Sequence, residues 1–129
     1  MRTPRYALDS WAALRYLEGG GQPALRVRRV LRSERPYVSW INLGEILYVL
    51  IRSAGLDRAE ETVAQLRRHV TLDQATPERV IAAARLKAGA ATAYADAFAI
   101  ATASARGVTL LTGDPEILAS GGCRVEDLR

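Results

Sequence analysis

Along the chain, short apolar runs alternate with longer segments whose apolar residues recur every three or four positions, the pattern of strands separated by helices. RYALD (Arg5 to Asp9) predicts a short buried strand that hands over directly to a helix, SWAALRYLEGG, stopped by glycines. A second helix is expected from about Pro23 to Ser33. A second strand follows at YVSW (Tyr37 to Trp40), and INLGEILYVLIRSAG has helical spacing up to Gly55. LDRAEETVAQLRR (Leu56 to Arg68) is amphipathic, and HVTLD (His69 to Asp73) reads as a third strand. TPERVIAAARLKAG opens with Thr76 as N-cap and Pro77 at the first helical position. The alanine-rich helix AYADAFAIATASARG, a fourth strand VTLLT, a short helix near Asp114 and a fifth strand within CRVED complete the chain. Strands separated by helices predict a three-layer α/β/α fold around a mainly parallel sheet of about five strands.

Composition narrows the function classes. A chain of 129 residues makes one domain, spanning 1–129, and 49% apolar with 25% charged residues suits a globular protein in water. No window supplies the roughly 20 apolar residues that a membrane span needs. In MRTPRYALDSW an acidic residue arrives at Asp9 before a signal-peptide core could form, so a cytoplasmic protein without a membrane is expected. Cys123 and His69 are each the only residue of their type. An intramolecular disulfide is thereby excluded, and any metal must be a hard cation bound by oxygen. The net charge of +4 rests almost wholly on arginine, including RVRRVLRSER at Arg26 to Arg35. That segment suits a polyanionic partner, or else it is a solvated helix face.

Four carboxylates carry the candidate chemistry. Asp9 ends the first strand and Asp114 follows the fourth, the edge where open parallel sheets bind ligands. Each also suits a helix cap. Glu45, in INLGEILYVLI, and Asp96, in AYADAFAIATA, sit among apolar residues. A buried carboxylate there needs a compensating partner, either a structural ion pair with Arg52 or Lys87, or a metal. Brought together, four acids repel one another, and Mg²⁺ or Mn²⁺ removes that repulsion. A site of this kind suits hydrolysis of a phosphodiester in nucleic acid.

YALDSWAALRYL, INLGEILYVLIR, YADAFAIATA and LLTGDPEI, in this order and spacing, closely resemble the PIN-domain ribonucleases, and among them the VapC-like toxins of type II toxin–antitoxin systems. The resemblance covers essentially the whole chain. It implies an endoribonuclease in which Asp9, Asp96 and Asp114 chiefly hold Mg²⁺ or Mn²⁺, while Glu45 positions or deprotonates the attacking water. Thr112 matches a hydroxyl often found two residues before the last acid, Asn42 matches a polar residue before the glutamate, and Glu116 stands as an outer ligand. The family often carries serine three residues before the third acid. Here that position is Ala93, with Thr92 beside it, which removes one supporting hydrogen bond.

The resemblance also implies an RNA substrate and an antitoxin partner whose carboxyl-terminal segment covers the active site. WAALRYL and EILYVLI carry more large apolar residues than one core-facing stripe requires, and Arg28 and Arg29 lie nearby in sequence. Such a surface suits an acidic amphipathic helix, or a homodimer interface. Other functions fit less well. A haloacid-dehalogenase-like phosphatase needs a second aspartate where Trp11 stands, and a receiver domain needs a lysine late in the chain, whereas Lys87 is the only lysine. The remaining alternative is a non-catalytic PIN-like module that binds a partner protein, with every carboxylate structural.

Overall fold

A computed structural model describes residues 3–129. Five strands, β1 (Tyr6–Leu8), β2 (Tyr37–Ser39), β3 (Thr71–Asp73), β4 (Thr109–Thr112) and β5 (Val125–Asp127), form one sheet in the order β3-β2-β1-β4-β5. Every pairing is parallel, so all five carboxyl ends lie on one edge and all five amino ends on the other. Seven helices connect them: α1 (Ser10–Glu18), α2 (Gly21–Ser33), α3 (Trp40–Ala54), α4 (Leu56–Arg67), α5 (Pro77–Gly89), α6 (Tyr94–Arg106) and α7 (Pro115–Ser120). The expected three-layer α/β/α fold with five parallel strands is present.

Strand alternation divides the core between the two faces of the sheet. Leu8, Val38 and Leu111 point to one face, where they pack with Val27, Leu43, Ile46 and Leu66 from α2, α3 and α4. Ala7 and Leu110 point to the other, against Ile100 of α6 and Ile117 of α7. Because both faces are covered, the strands read as continuous apolar runs. No helix among the described residues is long and apolar enough to cross a membrane.

Several boundaries differ from the sequence expectation. β2 stops at Ser39 because the Ser39 hydroxyl accepts the Ile41 N–H at 3.1 Å and caps α3, so Trp40 is already helical. β3 begins at Thr71, after His69 and Val70, and α2 begins at Gly21, ahead of Pro23. The alanine-rich helix begins at Tyr94, with Ala93 as its N-cap. Thr92 therefore precedes the helix, and Asp96 lies in the first turn. A carboxylate is favoured there by the helix dipole and the free N–H groups, whereas in a helix interior it has no such support.

Candidate active site

The strand order places β1 centrally, with β2 on one side and β4 on the other, so the connections leaving β1 and β4 diverge at the carboxyl edge. A crevice at such a switch point is where open α/β sheets bind ligands. Asp9, immediately after β1, is 1% exposed. One of its oxygens accepts the Ala12 N–H at 2.8 Å as the cap of α1, and the other accepts the Thr112 hydroxyl. Thr112, the last residue of β4, also accepts the Asp114 N–H at 3.0 Å. Asp114 in turn caps α7 through the Glu116 N–H at 2.9 Å. Capping and site formation thus coincide: the caps aim both aspartates at the same edge.

Glycine is required between these groups. A Cβ on Gly113 would lie 2.4 Å from the Trp11 ring, so the loop bearing Asp114 can close on α1 only without a side chain at that position. Arg15 covers the same indole, its guanidinium carbon 4.6 Å from the ring centroid.

Glu45 and Asp96 reach the crevice from helices. Glu45 is half-buried on α3 and accepts the Ser10 hydroxyl. Asn42, one turn earlier and fully buried, donates to the Ala95 carbonyl at 3.0 Å, tying α3 to the first turn of α6 and so positioning Asp96. Oxygens of Asp96, Asp114 and Glu116 all lie within 4.8 Å of one another. Glu116 therefore belongs to the tightest trio, while the carboxylates of Asp9 and Glu45 are engaged by Thr112 and Ser10. The contribution of Ser10 is one that the sequence reading missed. Its signal was a hydroxyl directly after Asp9, which only the packing of α1 against α3 converts into a contact.

The electrostatics single out this edge. Burial pushes the Asp9 carboxyl up to about 7 despite the hydrogen bonds from Thr112 and Ala12, and Asp96 and Asp114 add repulsion. Asp96 is pushed up to about 7 by burial and then by Asp114, Glu45 and Glu116. Arg52 and Lys87, the candidate ion-pair partners, are both exposed, and Arg52 instead stacks on Tyr48 at 5.0 Å. Among the described residues, no ion pair includes Asp9, Glu45, Asp96 or Asp114.

Asp73, which the sequence marks only as a strand end, shows the opposite case. It is fully buried, bound by Arg79 at 2.7 and 3.0 Å, by Arg106 at 2.9 Å and by Thr102 at 2.9 Å. Burial alone would raise its pKa, but these donors outweigh it and hold the carboxyl below its ordinary range. That carboxylate is structural. The site acids differ from it in lacking a cationic partner among the described residues.

A hard divalent cation fits this donor set, which offers carboxylate oxygens and neither sulfur nor imidazole. Cys123 packs against the apolar cluster under β4, and burial pushes its thiol up to about 11. His69 is exposed.

The profile of the PIN domain family matches residues 6–120. The chain belongs to the PIN domain family. Among solved structures, it is similar to DNA-bound VapBC from Salmonella typhimurium, with a TM-score of 0.81 at 20% identity, covering 98% of this chain and 100% of that one. It is also similar to VapBC2 from Rickettsia felis bound to a promoter DNA fragment, with a TM-score of 0.77 at 14% identity over 96% and 98% of the two chains. VapC20 from Mycobacterium tuberculosis, a toxin that cleaves the sarcin–ricin loop, gives 0.71 at 22% identity over 90% and 95%. No curated protein matches the chain.

As a PIN domain, the protein places the four expected acids in or beside one crevice of the fold, with Thr112 and Asn42 as their supports. Ala93 stands at the N-cap of α6 and makes no capping bond. The hydroxyl of buried Thr92 has no partner among the described residues, so it does not replace the serine that the family often carries next door.

Proposed function

We propose that this PIN domain is a Mg²⁺- or Mn²⁺-dependent endoribonuclease, the toxin of a toxin–antitoxin pair. One observation carries the reading: oxygens of Asp96, Asp114 and Glu116 lie within 4.8 Å of one another, with no ion pair to any of them among the described residues. Asp9 adds to the same field from beneath. Against such repulsion a merely structural cluster is costly, and a protein-binding module without catalysis gives no account of it.

Asp96 and Asp114 hold the cation, with Asp9 beside them and Glu116 at the open side. When bound, a hard divalent cation supplies positive charge against the phosphodiester and makes water a better nucleophile at neutral pH. Glu45 orients the attacking water and takes its proton. Its Oε1 is engaged by Ser10, which leaves Oε2 for this role. Thr112 keeps Asp9 and Asp114 in register, and Asn42 keeps Asp96 at the crevice.

The toxin role rests on the likeness to VapBC structures and on exposed apolar surface on α2 and α3. Leu25 is 47% exposed beside a 390 Å³ hollow between α1 and α2 that Arg28 rims, and Tyr48 of α3 is 46% exposed. An amphipathic antitoxin helix with acidic residues suits this surface. A second copy of the chain uses the same kind of apolar patch in a homodimer.

The test is incubation of the purified protein with total cellular RNA, with and without Mn²⁺, followed by mapping of the cut ends. Discrete cuts that require the ion are expected, and their suppression after co-expression with an adjacent small open reading frame supports the toxin role. Intact RNA under both conditions removes the nuclease assignment.

A further inference from the structure

The edge of the sheet opposite the acids carries a row of arginines. Each strand is preceded, within one to three residues, by an exposed arginine: Arg68 before β3, Arg35 before β2, Arg5 before β1, Arg106 before β4 and Arg124 before β5. In sequence these five are scattered over 120 positions and form no motif. The parallel pairing collects them, because it puts all the amino ends on one side.

The register sharpens the alignment. Ala7 pairs with Tyr37, which sets Arg5 and Arg35 at the same level, two residues ahead of those partners. Leu110 pairs with Ala7 and with Val125, so Arg124 stands about one residue further in. Neighbouring strands lie about 4.8 Å apart, so a row across five strands spans about 19 Å.

Glu34, the acid at this edge, is buried and accepts the backbone N–H of Arg5 at 2.6 Å and of Tyr6 at 3.4 Å, while Asp73, which takes Arg106, stands at the carboxyl end of β3. Arg106 is held by Asp73 at 2.9 Å and lies over the Tyr37 ring, whereas the other four guanidiniums remain accessible. Arg5 keeps 63% of its side chain exposed with Glu34 at 3.9 Å, and among the described residues Arg124 bonds the Gly107 carbonyl alone, at 2.7 Å. The side chains of Arg35 and Arg68 have no hydrogen-bond or ion-pair partner among the described residues. Arg5, Arg106 and Arg124 together line a hollow of about 460 Å³ between the starts of β1 and β4.

We infer that this amino edge is a second RNA-binding surface, which holds phosphates of the substrate away from the point of cleavage. The inference rests on the proposed ribonuclease function and addresses a difficulty within it: a cluster of carboxylates repels the polyanion it has to cut. A positive row on the far edge supplies the missing attraction. The strands are three or four residues long, about 10–13 Å, so a folded RNA can reach both edges. RNA is favoured over an acidic protein segment because the row contains charge but little exposed apolar surface, Val125 at 37% being its main example.

The test replaces Arg35, Arg68 and Arg124 together by glutamine and leaves Arg5 and Arg106, which touch Glu34 and Asp73, unchanged. Unaltered melting is expected, since none of the three holds a buried group. Binding is measured in an Asp96→Asn background by fluorescence anisotropy on a folded RNA over a series of salt concentrations. The slope of log K against log salt should fall by about two to three, with roughly 0.7 to 0.9 for each phosphate that the variant no longer neutralises. In the wild-type background, KM for the folded RNA should rise with kcat unchanged, while a short oligonucleotide shows no change.

An unchanged slope and KM overturn the inference while leaving the nuclease standing. Binding that depends on these arginines in a protein that never cuts RNA retains the surface and rejects the nuclease. Loss of a captured acidic partner protein without any effect on RNA reassigns the row to protein recognition and also overturns it.

Discussion

Thr112 donates its hydroxyl to Asp9 across 103 residues of chain and, with the same oxygen, accepts the backbone N–H of Asp114. One buried hydroxyl therefore ties two site acids from different connections. Thr112→Val keeps the shape and removes the donor. It should cost about 1–3 kcal/mol, because the buried Asp9 carboxyl loses a donor and the part-buried Asp114 N–H its acceptor. Activity should fall, and Thr112→Ser should recover most of both. Thermal melting and RNA cleavage on the three proteins check this, and an unaffected valine variant would show that the tie has no role.

Asp96→Asn separates a metal site from an ion pair. With no cationic partner among the described residues, the amide strands nothing, and removal of a repelled carboxylate should leave metal-free melting equal or higher at pH 8. RNA cleavage should be abolished, because a neutral amide is a weak ligand for a hard cation. A folded variant with full activity refutes the site, and a large loss of stability points to a partner for Asp96.

The raised carboxyls of Asp9 and Asp96 give the metal-free protein a defined pH response. Both move from an ordinary value of 3.8 to about 7, so across this window the folded state binds more protons than the unfolded state. Their contribution is complete below about 3.8, is lost as the pH rises to about 7, and is level above that. Chemical denaturation at pH 5, 6, 7 and 8 in chelator should show this trend at the upper end, over any general acid sensitivity. Mn²⁺ at pH 8 should restore the lost stability by binding the folded state. The restoration should shrink greatly in Asp9→Ala; an equal shift there means that the ion binds elsewhere.

Ala93 is an uncapped N-cap, with φ −65° and ψ 156°, and Asp96 occupies the third helical position after it. Serine at 93 can bond the first-turn N–H groups, and Asp96 can complete a capping box. Ala93→Ser should therefore stabilise the protein by about 0.5–1 kcal/mol. A shift in the denaturant midpoint at constant slope measures it. No gain means that the first turn is already satisfied in another way.

Much of the molecule was legible in the chain. The order of strands and helices followed from apolar periodicity, because strands buried on both faces must be apolar throughout. Asp9 and Asp114 stood out as carboxylates directly after such strands, and local capping rules already fixed their backbone. Glu45 and Asp96 were visible as acids in apolar surroundings. Asp96 nevertheless does not stand in a helix interior: it sits in a first turn, where its charge is tolerated, and the helix start that decides this depends on a cap that alanine does not signal.

Tertiary structure alone decided the rest. Whether Asp73 or Asp96 would find arginine was unreadable, since both are acids in apolar settings and the outcome depends on Arg79 and Arg106 packing around one of them. The place of Glu116 beside Asp96 and Asp114, and of Ser10 beneath Glu45, depends on how α7, α6, α1 and α3 meet at the crevice. Likewise, five arginines spread over the sequence become one row only through parallel pairing. Local order follows from neighbours in the chain, which the sequence states directly. Neutralisation and clustering of charge depend on distances between groups far apart in the chain, and those distances exist only once the sheet has formed.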